Sequence, residues 1–210
     1  MNKTQQTSDY DARPAHLLLI KRSGGLIIFS AIVVTLKLSG DGISDFLRYS
    51  RPEILDGQIW RLFTAHFIHH GWSHLAMNLT GLVLIWMIAG KWLSLNKALF
   101  ASIFSTLIIG LGLLFLNPEI SWYVGSSGII HGLWMMAAIY GLRMQHWDAY
   151  ALFALLMLKL AWEQVLGPIP GSNDMAGLPI IVDAHLYGAV SGLFLALLLN
   201  NRLKQSVYVE

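Results

Sequence analysis

Two short motifs bring together residue types able to do nucleophilic chemistry. Gly125-Ser126-Ser127-Gly128 opens one apolar segment, and Ala184-His185-Leu186-Tyr187-Gly188 opens another. A serine hydroxyl is a poor nucleophile until a base takes its proton, and an imidazole titrates in the range that suits this task. Ser127 falls at a predicted helix start, where unpaired backbone N–H groups and the helix dipole favour a developing oxyanion. His74 and Asn78 stand four residues apart on an earlier segment, so they share a face and could add side-chain donors. His131 is the competing base, four residues after Ser127. Side chains at that spacing stack along one helix axis, whereas a residue on another helix can point at the hydroxyl. The spacing therefore ranks His185 first and makes His131 a neighbour that packs against the site.

Taken singly, these residues have plainer uses. A serine–glycine pair in an apolar helix commonly serves packing, and a lone histidine commonly serves a structural hydrogen bond. The elements that must carry them decide the matter.

Of the 210 residues, 55% are hydrophobic and only 12% charged. Such a balance is too apolar for a soluble domain of this length and fits an all-α, polytopic membrane protein in contact with the lipid bilayer. Net charge is +2 without a basic run, which leaves no footprint for nucleic acid. The absence of cysteine excludes disulfides and thiol catalysis. Six spanning helices are predicted near 23–38, 73–89, 96–116, 127–142, 149–166 and 183–199, between polar tails at 1–22 and 201–210. The membrane domain is thus 23–200. Several of these segments are shorter than the roughly 20 residues that cross a bilayer upright, so local thinning or flanking residues must accommodate them. Lys21 and Arg22 precede the first span as in a signal sequence, but no small-residue cleavage site follows, which predicts an uncleaved anchor.

Basic residues orient the bundle. With the N-terminus inside, Lys3, Arg13, Lys21, Arg22, Lys91, Lys97, Arg143, Arg202 and Lys204 lie on the cytoplasmic side. Lys37, Arg48, Arg51 and Arg61 lie outside, and Lys159 falls within a helix. The excess predicts that both termini are cytoplasmic. The first outer loop, about 39–72, is long, carries Pro52, Gly57 and several aromatic residues, and is expected to be a lid or an interfacial element. The loop at 167–182, with Pro168, Pro170 and Pro179, cannot be helical throughout.

Parity then brings the chemistry together. The second, fourth and sixth helices run in the same direction, so His74 and Asn78, Ser127, and His185 lie at one depth near the outer face. Gly128 and Gly132 form one small-residue strip, and Gly188 and Gly192 form another. Strips of this kind let two helices nearly touch backbones. If these two pack together, Ser127 and His185 come within hydrogen-bond reach.

Other polar residues have competing readings. His66, His69, His70 and His74 invite a metal hypothesis, but Gly71 interrupts the run and Ser73 looks like a helix cap, so no metal or cofactor is expected. His69 suits a loop-anchoring hydrogen bond better. Asp183 could orient His185 or simply cap its helix. Glu163 should face the bundle or water, either as a gating residue or paired with Lys159 one turn earlier.

The chain closely resembles the rhomboid intramembrane serine proteases. Trp60-Arg61 with Phe63-Thr64, then His69, His74 and Asn78, then Gly125-x-Ser127-Gly128 and His185 with Gly188 match that family's motifs, in order and on the corresponding helices. The resemblance implies a six-helix rhomboid-like bundle and a Ser127–His185 dyad without an acidic third member. It also implies an oxyanion held by the Ser127 backbone, His74 and Asn78, with Trp60 and Arg61 as structural residues. It implies cleavage of transmembrane protein substrates near the outer face of a bacterial inner membrane, through a water-filled cavity, with the fifth helix and last loop controlling access. Where many rhomboids carry tyrosine four residues after the nucleophile, this chain has His131. Gly-Ser-Ser-Gly-x-x-His-Gly and Trp162-Glu163-Gln164 look most like the rhombosortase subgroup, which implies removal of C-terminal Gly-Gly-type sorting tails. The alternatives are a general rhomboid protease of other single-span substrates and a non-proteolytic rhomboid-like binder.

Overall fold

The computed structural model describes residues 15–199. The expected tails lie outside the described residues, apart from 15–22, which already belong to the first helix. In chain order the elements are α1 (Ala15–Leu38), α2 (Asp41–Leu47), β1 (Tyr49–Ser50), α3 (Arg51–Leu55) and α4 (Arg61–Thr64). A 3₁₀ turn (Ala65–Phe67) leads to α5 (Trp72–Ala89), and a second (Gly90–Trp92) leads to α6 (Leu95–Leu116). The chain continues with β2 (Trp122–Tyr123), α7 (Ser127–Arg143), α8 (Trp147–Leu166), α9 (Ser172–Ala176) and α10 (Val182–Leu198).

The six long helices, α1, α5, α6, α7, α8 and α10, coincide with the six predicted spans. By length and composition, α6 and α8 can each cross a membrane alone. The pairs α1–α2 and α4–α5 pass the same test together but bend by 118° and 89° at their breaks. Large apolar side chains face outward on these helices: Met87 is 73% exposed, Phe115 72% and Val165 80%. A water-soluble protein seldom shows so much apolar surface, whereas lipid is its natural solvent. The molecule is a polytopic helical membrane protein.

At the centre stands α7. It packs against α5, α6, α8 and α10, and most of its length from Gly128 to Gly141 is buried. Its tightest neighbour is α10. A Cβ built on Gly188 would fall on the Gly128 carbonyl, and one on Gly192 would fall on the Gly132 carbonyl. Because 128 faces 188 and 132 faces 192, the two helices run parallel with backbones in contact. A buried hydrogen bond between Ser105 and Ser191 (2.6 Å) ties α6 to α10 beside this seam. Hydroxyl pairs of that sort hold helices together where lipid offers no hydrophobic drive.

The segment expected as one long irregular loop proves to be a chain of short elements. Arg61, buried on α4, donates to Gln58 Oε1 (2.9 Å) and to the carbonyls of Asp45 (2.7 Å) and Arg48 (2.9 Å). Thr64 Oγ1 donates to the Leu47 carbonyl (2.6 Å). These bonds cap the C-terminal carbonyls of α2, which no periodicity reveals. β1 pairs antiparallel with β2, Tyr49 opposite Tyr123 and Ser50 opposite Trp122, and so fastens the segment to the chain just ahead of α7. The loop before α10 contains the five-residue α9.

Candidate active site

Ser127 is the first residue of α7 and is half-buried at the edge of a cavity of about 630 Å³. The preceding turn is built around Gly125, whose φ of +120° lies in the region that favours glycine. A Cβ there would also come within 2.8 Å of the His74 ring. The turn is fixed by Gly125 N–H to the Ala65 carbonyl (3.1 Å) and by Tyr123 Oη to the Gly125 carbonyl (2.8 Å). Ser126 Oγ lies 3.3 Å from His69 Nε2. His69 thus ties the turn before α7 to the segment before α5.

His185 is buried on the first turns of α10, and its Nε2 lies 2.9 Å from Ser127 Oγ. The α7–α10 seam makes this possible, because any larger residue at Gly188 would separate the helices one turn below. His131 does not compete for the hydroxyl. Its Nδ1 lies 2.7 Å from the Ser127 carbonyl oxygen, so it donates there, and its ring stacks on His185 at 4.1 Å and 13°.

His185 has a further partner on α8. Glu163, buried on α8, places Oε2 2.9 Å from His185 Nδ1 and also pairs with Lys159 through Oε1. The two sequence readings of Glu163, gating residue and partner of Lys159, omitted this bond. An acidic residue inside a spanning helix was the available signal. Its second partner depends on how α8 is rotated against α10. Asp183, the other candidate for orienting His185, instead accepts from Asn117 Nδ2 (3.0 Å).

His74 and Asn78 line the same cavity as Ser127 and His185. Asn78 Nδ2 donates to the His74 carbonyl (3.1 Å), which leaves its second N–H available. Gly81 approaches Ile130 just as His74 approaches Gly125, so α5 ascends beside α7 in parallel. Of the four histidines of the 66–74 stretch, His69 and His74 meet edge to face, their ring centroids 5.1 Å apart, and the four do not gather around one point. His66 packs edge-on to Tyr123, His69 meets Ser126, His70 lies near Trp122, and His74 borders Gly125.

Among the described residues, His131, Glu163 and His185 bring candidate ligand atoms within 4.8 Å of one another. Two imidazoles bind one ion when their lone pairs converge at about 2.0–2.1 Å. Rings stacked 13° from parallel aim their lone pairs side by side instead. The arrangement is suited to moving a proton between Ser127 and His185, and to holding negative charge against the α7 N-terminus.

The rhomboid domain family matches residues 56–202. The rhomboid protease GlpG of Klebsiella pneumoniae is 27% identical over 177 residues, which cover 81% of this chain and 60% of that protein. The rhomboid protease GlpG of Salmonella typhi is 26% identical over 179 residues, with the same coverage. The chain therefore matches about three-fifths of the length of these relatives. By the extent of the family match, from just before α4 to the end of α10, this chain belongs to the rhomboid family.

Proposed function

We propose that this chain is an intramembrane serine endopeptidase that cleaves membrane-anchored protein substrates. The observation that carries the reading is the 2.9 Å contact between Ser127 Oγ and His185 Nε2, at a helix N-terminus that opens into a cavity. Ser127 Oγ attacks the scissile carbonyl carbon and forms a C–O bond as its proton passes to His185 Nε2. The carbonyl oxygen becomes an oxyanion facing the Ser127 N–H, with His74 and Asn78 as side-chain donors. Collapse breaks the C–N bond, and His185 gives the proton to the departing amine. Water then attacks the acyl ester as His185 Nε2 takes its proton; the ester C–O bond breaks, His185 returns the proton to Ser127 Oγ, and the new carboxyl group is released.

The preferred substrates are C-terminal sorting tails with a Gly-Gly stretch, a hydrophobic helix and basic residues. The support is the Gly-Ser-Ser-Gly-x-x-His-Gly string and the Trp162-Glu163-Gln164 segment. The placement is a bacterial inner membrane with cleavage near the outer face and both termini cytoplasmic, supported by the distribution of lysine and arginine. The membrane domain is 23–200, with α1 continuing back to Ala15.

Purified protein in detergent micelles, treated with a fluorescent serine-directed phosphonate, tests the chemistry. Labelling of wild type and its loss in Ser127→Ala and His185→Ala are expected. Equal labelling of Ser127→Ala removes the nucleophile. A single-span reporter ending in a Gly-Gly sorting tail tests specificity against the same reporter with leucines in place of the glycines. Equal cleavage of both would remove the sorting-tail reading while leaving the protease.

A further inference from the structure

We propose that Glu163 is the positioning residue for His185: its carboxylate, anchored by Lys159, holds the Nδ1–H and so aims Nε2 at the Ser127 hydroxyl. This rests on the serine-protease reading above and adds a third member to the pair.

A buried carboxylate in a spanning helix is costly unless it is paired. Lys159, four residues earlier on α8, supplies a partner, but that pair alone could turn toward any face. Glu163 is instead only 3% exposed, and its second oxygen meets an imidazole on a different helix at 2.9 Å. The i,i+4 pairing does not account for that second contact.

The contact determines the state of the ring. A carboxylate accepts and cannot donate, so His185 Nδ1 carries the proton and Nε2 presents its lone pair to Ser127. The other tautomer would set an N–H against the serine hydroxyl, and no proton could be taken. His131, stacked at 4.1 Å, holds the ring in its plane, while Glu163 fixes its rotation. When His185 receives the serine proton, Glu163 faces the new positive charge. Such an arrangement raises rate without changing substrate affinity. Lys159 offsets part of the carboxylate's charge and keeps it in place.

The test uses the full chain in micelles, with the phosphonate and the sorting-tail reporter as probes. Glu163→Gln keeps the shape and removes the charge. The expected result is a drop of about 10²-fold in both kcat and the phosphonate labelling rate, with KM within about twofold and the thermal transition unchanged. A merely structural role would move stability or KM and leave the labelling rate of folded protein alone. If Glu163→Gln keeps kcat and labelling within twofold of wild type, the positioning role is overturned. Should that variant not fold, Glu163→Asp retains the charge against Lys159 but draws the carboxylate back by one methylene. Folded Glu163→Asp is expected to lose about tenfold in kcat, and unchanged kcat would overturn the proposal. Ser127→Ala is assayed alongside. Turnover there removes the nucleophile itself, whereas loss there beside an unaffected Glu163→Gln removes only the positioning role.

Discussion

The two sides of α7 are built in opposite ways. Toward α10, glycine faces glycine and backbone meets backbone, with Ser127 and His185 just above the contact. The cavity, which Ser127 and His185 also line, extends away from that contact between Leu84 and Ile85 of α5, Ile130 and Trp134 of α7, and Leu152 and Leu155 of α8. Close-packed backbone contacts leave little freedom, so they hold the separation of the side chains just above them. An opening lined by flexible side chains can reshape around an occupant. The proposed reacting pair is held by the rigid contact, and the space beside it opens toward the yielding wall.

Substitutions on each side should break or sharpen that contrast. Gly188→Leu has the largest expected effect. The new side chain has no room against the Gly128 carbonyl, so a loss of about 3 kcal/mol and of all turnover is expected, read by thermal unfolding in micelles and the reporter assay. Next comes Asn78→Ala, on the cavity wall. If its amide donates to the oxyanion, kcat should fall by about 10²–10³ with stability nearly unchanged. Retained kcat would limit oxyanion binding to the α7 N-terminus and His74. Gly125→Ala strains a positive-φ turn and crowds His74; a loss of about 1–3 kcal/mol is expected, together with slower phosphonate labelling. Ser105→Ala deletes one buried hydroxyl beside the seam and should lower stability by only about 0.6 kcal/mol. Smallest of all is Leu155→Ala, at a cavity-lining residue already 57% exposed. Stability should stay within about 0.5 kcal/mol, and any effect should be on KM. A large stability loss there would mean that the cavity side is packed as rigidly as the seam.

Much of the fold was legible because the bilayer imposes simple rules. A backbone that must satisfy itself in lipid becomes helix, and the six apolar stretches follow from this. The small-residue strips marked the α7–α10 contact, since glycines four apart on two helices have few other uses at such depth. Between α1 and α5 the reading was poorer. Arg61 and Thr64 organise that segment by bonding to the carbonyls of Asp45, Arg48 and Leu47, and such bonds leave no periodic trace. The pairing of β1 with β2 joins residues more than seventy positions apart over just two pairs, too few to show an alternating pattern.

The candidate site divides in the same manner. Sequence alone named Ser127, His185, His74, Asn78 and His131, because residue type, helix-terminal position and parity are local or countable properties. Only the tertiary structure decided how they meet. His131 donates a hydrogen bond to the Ser127 carbonyl rather than meeting the hydroxyl, and Glu163 on α8 reaches His185 on α10. The Glu163–His185 contact depends on the rotation of α8 and α10 about their own axes. That rotation is set by side-chain packing summed over the whole bundle, which a linear pattern does not encode.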